Sequence, residues 1–386
     1  LVVKLSGPSE YDDLRDGVRQ VCEPFDGAYW RSLEPDSYPS EFVRALTDSG
    51  FLAALIPEEY SGGGATLTEA SVIMEEISAS GGNPAACHAQ MYVMGTVLRH
   101  GSPEQKAEYL PRIAAGELRL QAFGVTEPGA GSETTRIRTK ATRVADGWRI
   151  DGQKIWTSRA LYSDLMLLLA RTTPMEECEK PTDGLSVFLF DIRELPGLTI
   201  SPIKTMINHN TTEVFFDGVV IPENALIGEE GKGFRYILDG MNAERILIAA
   251  ECIGDGRFLL RKATDYANER EVFGGPIGSN QGVQFPLARA YAQLCAADLV
   301  RFDSAARYDA GEKCAAQANM AKFLASEASW AAANAALDTH GGFGFAVEYD
   351  VERKFRETRL YQVAPINNNL VLAYLGQHVL GLPKSY

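Results

Sequence analysis

Cysteine is scarce and scattered in this 386-residue chain: six residues, at 22, 87, 178, 252, 295 and 314, with no CxxC pair and no Cys/His cluster. That pattern excludes a disulfide framework or a thiolate-held metal as the organising feature, and predicts free, mostly structural thiols in a reducing compartment. Long apolar runs are missing too. The longest strongly apolar stretch, Leu165 to Ala170, is far too short to span a bilayer, and the start Leu1-Val2-Val3-Lys4 lacks the form of a secretory signal. A cytoplasmic protein with no membrane segment is expected, although a mature organellar matrix protein whose transit peptide had been removed would look the same. No Lys/Arg run occurs and the formal charge is −14, which argues against a nucleic-acid partner. An anionic ligand would therefore need local basic residues or helix N-termini to offset the field of the whole protein. The chain also has no GxGxxG, Walker loop, HExxH or GxSxG, so a Rossmann-type cofactor site is disfavoured.

What is present is an ordinary globular composition, 45% apolar and 23% charged, enough for one large core or two to three smaller ones. The pattern divides the chain in three. Residues 1–120 read as helices broken by loops: Ser40 to Gly50, with a capping serine and a stop glycine, then Leu67 to Ser80 and His88 to His100. Residues 121–231 read as short strands. Lys140 to Val144 and Trp148 to Ile150 flank Asp146-Gly147, a hairpin signal, and Leu165 to Ala170, Leu185 to Phe190, Leu198 to Ile200 and Glu213 to Val220 follow. No helix alternates with them, so a β-barrel or sandwich is expected rather than a parallel sheet. Residues 232–386 are helical again and alanine-rich, with candidate helices at 234–268, 286–310, 314–337 and 365–380, as in a four-helix bundle that also packs against other subunits. The fold class expected is α+β, mostly α, in the order helical domain, β domain, helical bundle.

Two segments carry chemistry. In the first, Gln121 to Thr126 reads as a strand ending in the turn Thr126-Glu127-Pro128-Gly129-Ala130-Gly131-Ser132. Its backbone N–H groups and the Thr126 hydroxyl suit the edge of a flat heterocycle, and its glycines permit close approach of Ser132 and neighbouring amides to a diphosphate. A Gly-rich loop between strands is as often purely structural. In the second, Lys154-Ile155-Trp156-Thr157-Ser158, an aromatic plate and a hydroxyl are added to the same β region.

Together these segments resemble the flavin-binding signature of the acyl-CoA dehydrogenase family, and similar matches run from about 121 to 360. The resemblance implies FAD as cofactor: Val125 and Thr126 at the pyrimidine edge, Ser132 near the diphosphate and the substrate, Trp156 flanking the ring, and Ser158 near N5 where relatives usually have threonine. Glu269-Arg270-Glu271-Val272-Phe273-Gly274, followed by Ile277 and Gln281, is similar to the segment that reaches into a neighbouring subunit, which assigns Arg270, Phe273 and Gln281 to the diphosphate and adenine of that subunit's FAD. Arginine suits a diphosphate because its donors are fixed in a fork. Gly341 and Gly342, in Gly341-Gly342-Phe343-Gly344-Phe345, resemble the glycine turn near the adenosine. Asp338 departs from the pattern, standing where glutamine is usual. Arg353 and Arg356 continue the run and are read as structural ion pairs.

The catalytic base is the point at which the chain departs furthest. Where many members carry a glutamate in the C-terminal segment, this chain reads Val363-Ala364-Pro365-Ile366-Asn367-Asn368-Asn369, and Pro365 can neither take a proton nor donate a backbone hydrogen bond. Met241-Asn242-Ala243-Glu244-Arg245, followed by an apolar run, resembles instead the helix that supplies the base in the isovaleryl-CoA and long-chain branches. This resemblance assigns Glu244 as base and puts Arg245 near the thioester or CoA; Asn367 and Asn369 take positions near the flavin or adenosine. A carboxylate on a nearly all-apolar helix is costly to bury unless it faces a cavity or a partner. The competing reading is a solvated stripe or ion pairs, since Glu244 and Glu251 are seven apart and share a helix face with Arg245 or Arg257 at hand.

The function implied is an FAD-dependent acyl-CoA dehydrogenase that takes the α-proton of an acyl-CoA thioester, passes the β-hydride to flavin N5 and yields the 2,3-enoyl-CoA. An electron-transferring flavoprotein is the implied acceptor and a homotetramer, a dimer of dimers, the implied assembly. The alternative is a family member that binds FAD and acyl-CoA without ordinary desaturation, a desulfinase or lyase type or an inactive partner subunit. A helical binding module without cofactor would require every flavin match to be accidental.

Overall fold

The computed structural model describes residues 8–384. Eleven α-helices follow in order: α1 Asp12–Cys22, α2 Gly27–Ser32, α3 Ser40–Asp48, α4 Leu67–Ala79, α5 Ala85–His100, α6 Pro103–Ala114, α7 Gly233–Glu269, α8 Gln281–Asp309, α9 Ala315–His340, α10 Val351–Leu360 and α11 Asn368–Tyr374. The strands are β1 Leu120–Gly124, β2 Lys140–Val144, β3 Gly147–Ser158, β4 Leu165–Arg171, β5 Leu185–Asp191, β6 Leu198–Pro202, β7 Thr211–Ile221, β8 Leu226–Ile227, and the short pair β9 Glu271–Val272 and β10 Gly275–Pro276. No helix among the described residues is long and apolar enough to cross a membrane.

The chain forms two compact units. One comprises Pro35–Ala65 and Ala85–Met241. Its β-strands form one eight-stranded sheet in the order β6-β7-β3-β2-β4-β5-β8, with β1 beside β4. The expected order of helical, β and helical parts holds, and the sheet is open and mixed rather than a closed barrel. β1 runs parallel to β4 over Leu165 to Leu168, and β2 meets the same strand at Arg171, so two strands share one edge of β4 end to end. All seven residues of β4 are buried, which explains why its sequence is a continuous apolar run rather than an alternation. β7 alternates and exposes one face. The β2–β3 hairpin forms at Asp146-Gly147 as expected, with Gly147 at φ 137°. A Cβ there would lie 2.2 Å from the Ile221 carbonyl oxygen, so only glycine fits.

The other unit contains the residues up to Glu34, Thr66–Pro84 and the residues from Asn242 on. α4 begins with a capping box, Thr66 and Glu69 satisfying each other's backbone N–H groups, and lies almost wholly in the interior. Against α9 the helix α7 packs Ile248, Ala249, Cys252 and Ile253, with Ala321, Ala325, Ala328 and Ala332 opposite; alanine lets the helix axes approach closely. At Gly254 a Cβ would meet the Glu75 carbonyl oxygen of α4 at 2.2 Å. Charges are buried in this unit as well. Glu75, fully buried, pairs with both Arg257 and Arg301, and Asp298 bridges the same two arginines. Lys354 Nζ lies 2.8 Å from Asp255, both fully buried.

Three local expectations are corrected. Pro39, not Ser40, holds the N-cap of α3, and Ser40 is the first helical residue. Helix α10, absent from the expected set, buries Arg353, Lys354 and Glu357, charged residues that leave no apolar periodicity to read. The stretch expected to be helical at 365–380 begins as a turn, and only Asn368–Tyr374 is α-helical before a π turn at Leu375–Val379.

Candidate functional site

In the sheet unit the two chemistry-bearing segments meet at one end of β1 and β3. Beyond Gly124, Val125 and Thr126 are half-buried. Glu127 to Ala130 then closes a tight turn, with Ala130 N donating to Glu127 O at 3.0 Å and Glu127 N to Ala130 O at 3.2 Å. The turn is anchored from beneath by Lys154, wholly buried, whose Nζ donates to Val125 O at 2.9 Å and to Glu127 Oε1 at 2.8 Å. Glu127 also accepts from Arg138 N at 2.6 Å and Thr139 N at 2.9 Å. The two partners shift differently. Burial pushes the Lys154 ammonium down to about 8 despite Glu127. For Glu127 burial pushes up, but Lys154 and the donors at Arg138 and Thr139 outweigh it and hold the carboxyl below its usual range.

This anchor places Trp156. Ile155 N donates to Thr126 O at 2.9 Å, and the β3–β7 register slips between Ile155 and Thr157, so Trp156 is the extra residue of a β-bulge. It has φ 62° and leaves 57% of its surface exposed. A bulge re-aims a side chain out of the sheet alternation, and a bulky residue in the left-handed region costs energy that its own packing does not return. Ser158, half-buried, pairs with Thr211. Ser132 is exposed, and a Cβ on Gly129 or Gly131 would meet nothing within 4 Å. The protein itself does not require glycine at either place, so the open space over the turn is available to a ligand. Next to Ser158, Arg159 is buried at φ 60° with its Nη2 3.4 Å from His209 Nδ1. Burial first, then Arg159 and His88, pushes the His209 ring well below its usual range, so His209 is neutral.

The bundle unit holds the remaining candidates in two groups. Glu244 lies on α7 with only 1% of its surface exposed and Glu251 with 2%, which rules out the solvated stripe. Glu251 accepts from Tyr361 Oη at 3.2 Å. Arg245 is half-buried, donates from Nη1 to Asn242 Oδ1 at 3.3 Å, and keeps its Nε buried without a hydrogen-bond partner among the described residues. Burial pushes its guanidinium down, with Glu244 and Tyr374 opposing. The turn containing Pro365 leads into α11, where Asn367 caps the helix by accepting from Leu370 N at 3.0 Å, and Asn369 is exposed. The turn is tied to α9 by Lys322, Ser326 and Glu327, all of which hydrogen-bond to Asn368.

At the far end of α7, Arg270 opens a hairpin whose two-residue loop is Phe273-Gly274, at φ 55° and 87°. Positive φ at both central positions is the type I′ geometry of tight hairpins. Phe273 at its tip is fully exposed. Ile277 N closes the base of the loop on Arg270 O at 2.8 Å, and Gln281, exposed, starts α8. Gly341 follows α9 at φ 57°, and neither it nor Gly342 has an atom within 4 Å of an added Cβ. Tyr266 of α7 stacks on His340 with ring centroids 4.4 Å apart, so the Arg270 hairpin and the glycine turn occupy the same end of the bundle.

The chain matches three consecutive family descriptions: acyl-CoA dehydrogenase N-terminal domain over residues 8–117, middle domain over 122–219 and C-terminal domain over 231–369. The chain belongs to the acyl-CoA dehydrogenase family. It is 38% identical to the acyl-CoA dehydrogenase fadE12 of Mycobacterium bovis, over 93% of this chain and 92% of that one. A glutaryl-coenzyme A dehydrogenase solved with glutaryl-CoA superposes with a TM-score of 0.89 at 30% identity, over 99% of this chain and 98% of that one. A chain in the structure of the electron transferring flavoprotein of Acidaminococcus fermentans superposes with a TM-score of 0.90 at 26% identity, over 98% of this chain and 100% of that one. The protein is thus an acyl-CoA dehydrogenase, an oxidoreductase acting on CH–CH bonds with FAD as its cofactor.

The residues fit that cofactor. Trp156 is strained and exposed, and a Cβ added at Gly129, Gly131, Gly341 or Gly342 meets no atom of the described residues within 4 Å, which leaves room for a ligand at those turns. Four supporting residues escaped the sequence reading: Lys154, Glu127, Lys322 and Asn368. Glu127 was visible only as part of a turn, and the lysines carry no local signal that they are buried. Arg353 and Arg356 are ion-paired as read, Arg353 with Glu357 at 3.1 Å and Arg356 with Glu352 at 2.8 Å.

Proposed function

We propose that this acyl-CoA dehydrogenase oxidises an acyl-CoA thioester to the 2,3-enoyl-CoA with Glu244 as the base that takes the α-proton. The observation that carries the assignment is the burial of Glu244 on α7 combined with proline at position 365, which leaves that turn without a proton acceptor. When bound, FAD supplies the hydride acceptor for the β-carbon. The chain's own groups bind and orient: Val125, Thr126 and Ser158 offer hydrogen bonds to the flavin ring, Trp156 offers it an aromatic face, and Ser132 lies near the diphosphate and the substrate. Arg245 contacts the thioester or the CoA; its buried, unsatisfied Nε supports that role. Arg270, Phe273 and Gln281 hold the diphosphate and adenine of a neighbouring subunit's FAD, Gly341 and Gly342 lie near the adenosine, and Asn367 and Asn369 lie near the flavin or adenosine.

The same reading extends to the setting of the protein. Its three functional segments are 1–120, 121–231 and 232–386, its acceptor is an electron-transferring flavoprotein, and its assembly is a homotetramer built as a dimer of dimers. A fully exposed Phe273 on a strained hairpin supports a contact with another subunit. Six free cysteines support a reducing, cytoplasmic location.

The test is an anaerobic titration of the flavoprotein with straight, branched and cyclic acyl-CoAs, followed through the visible flavin band. At least one ester bleaches the wild type. Glu244→Gln binds that ester and bleaches about 10²- to 10⁴-fold more slowly, the usual share of a general base. Wild-type bleaching rates in Glu244→Gln would remove Glu244 from the role, and a flavin that no ester bleaches would remove desaturation itself.

A further inference from the structure

Lys322 is the most improbable residue of α9. It sits in an alanine-rich, apolar face with no exposed surface, where an ammonium is expensive unless it is satisfied. Its Nζ donates to Ile366 O at 2.7 Å and to Asn368 Oδ1 at 2.7 Å. Asn368 is in turn held from the same helix: its Nδ2 donates to Ser326 Oγ at 3.1 Å and to Glu327 Oε1 at 2.9 Å. Gln362 Nε2 reaches the same Glu327 oxygen at 3.0 Å. Lys322 and Ser326 are one helical turn apart and so share a face, Glu327 is the next residue of the helix, and together they clamp the turn containing Pro365 at its exit.

The adjacent positions of α9 face α7. Ala321 and Ala325 pack with Ile248, Ala249 and Cys252 in one core cluster. The charged groups acting on Lys322 are Glu244 and Arg245 from α7 and Glu327 from its own helix; the Cys252 thiol of α7 is titratable but burial pushes it well above its usual range, and the turn presents the Ile366 carbonyl and the Asn368 carboxamide. Burial pushes the ammonium down to about 8, and the neighbouring Cys252 and Glu244 oppose that shift. At neutral pH the group is therefore charged, and its attraction to Glu244 acts equally on both partners.

Resting on Glu244 as the base, we propose that Lys322 is a positioning residue of the reaction: its ammonium fixes the 364–368 turn against α9 and provides the buried counter-charge that keeps Glu244 ionised and ready to accept the α-proton. A neutral side chain at 322 would loosen the turn and let Glu244 hold a proton at higher pH.

The experiment compares wild type, Lys322→Gln, Lys322→Arg and Glu244→Gln as FAD-loaded proteins. It uses stopped-flow bleaching by butyryl-CoA and isovaleryl-CoA from roughly pH 6 to 9, with the ester's dissociation constant and the flavin content read alongside. The expected result for Lys322→Gln is a limiting rate about 10- to 100-fold lower, the scale of a lost hydrogen bond to a charged group. Ester affinity is little changed, and the pH midpoint of the rate moves upward. Lys322→Arg restores the midpoint. A purely structural lysine would lower the melting temperature and leave the midpoint where it was, and that result overturns the proposal. If Lys322→Gln does not fold, Asn368→Ala cuts the same clamp without removing the charge; a limiting rate equal to wild type in that variant also overturns it. Wild-type bleaching in Glu244→Gln would instead sink the base assignment, so the two failures are told apart.

Discussion

Lys154 and Glu127 lie 2.8 Å apart, Nζ to Oε1, both buried, at the base of the Glu127–Ala130 turn of the sheet unit. Neither residue contributes a surface to a ligand. What the pair does is fix Val125, whose carbonyl accepts the second Lys154 hydrogen bond, and through it the path of Thr126 and Trp156. Removing one partner leaves the other as an uncompensated buried charge or donor, which costs about 3–5 kcal/mol for buried pairs. Lys154→Met is expected to lower the stability of the apoprotein by that order in denaturant unfolding and to release FAD on gel filtration.

The same pair sets an acid limit. The Glu127 carboxyl is held below its usual range in the folded protein, so its contribution is fully present above the ordinary glutamate value and fades as pH falls through the lower folded one. The melting temperature of wild type is expected to fall more steeply with acid, below about pH 4.5, than that of Glu127→Gln, which starts lower. Parallel slopes for the two proteins would rule out the linkage.

Trp156 stores strain that a ligand can use. Glycine at this bulge removes the left-handed penalty of about 1–2 kcal/mol while sacrificing a side chain that is 57% exposed and packs little. Trp156→Gly is therefore expected to melt as high as wild type or higher in the apo form, yet to bind FAD about 10- to 100-fold more weakly, the scale of one lost aromatic stack. Flavin fluorescence titration and apoprotein melting curves measure the two effects separately. A parallel loss of both would mean that Trp156 is a packing residue.

Much of the architecture was legible because it is written locally. The Asp146-Gly147 hairpin, the all-apolar β4 and the long α9 each carry their own signal in turn chemistry or periodicity. The open sheet was not legible, since it depends on β1 and β2 sharing one edge of β4, a pairing between distant segments. Helix α10 was hidden for a different reason: its inward face is Arg353, Lys354 and Glu357, so burial there follows charge pairing rather than hydrophobicity. The site shows the same division. Trp156 and Glu244 stood out through family motifs, whereas Lys154, quoted only as part of a motif, and Lys322 carry no local signal of the buried partners that they hold.

The bundle depends on buried charge more heavily than its alanine-rich sequence suggests. Arg301, with no exposed surface, bonds Glu75, Asp298 and the Ser71 hydroxyl at once. Arg301→Met strands Glu75 and Asp298 together, and Arg257, already pushed down to about 10 by burial, cannot neutralise both. A loss of about 3–5 kcal/mol is expected, visible in urea unfolding. Replacing Glu75 by Gln in the same chain should return part of that loss, because it removes one of the stranded charges. If the double variant is no more stable than the single one, the stranded charge is not what destabilises the bundle.

The Arg270 hairpin allows a role within the chain to be told from a role between chains by experiment. Its tip, Phe273, has no packing partner to lose, being fully exposed, while its loop geometry is held by Gly274 and by the Ile277–Arg270 hydrogen bond. If the hairpin serves a neighbour's cofactor, Arg270→Ala and Phe273→Ala should leave the secondary structure and urea midpoint of the apoprotein unchanged. FAD affinity should fall about 10-fold or more for Arg270→Ala, as expected for one charged hydrogen-bonding group. Retained flavin should then also depend on protein concentration, since dilution dissociates the subunits and withdraws the hairpin. Sedimentation velocity at several loadings, recorded at both the protein and flavin wavelengths, reads this directly: flavin should travel only with the associated species. FAD co-migrating with a monomer at wild-type affinity would show that one chain completes the site alone, and the exposure of Phe273 would then need another explanation.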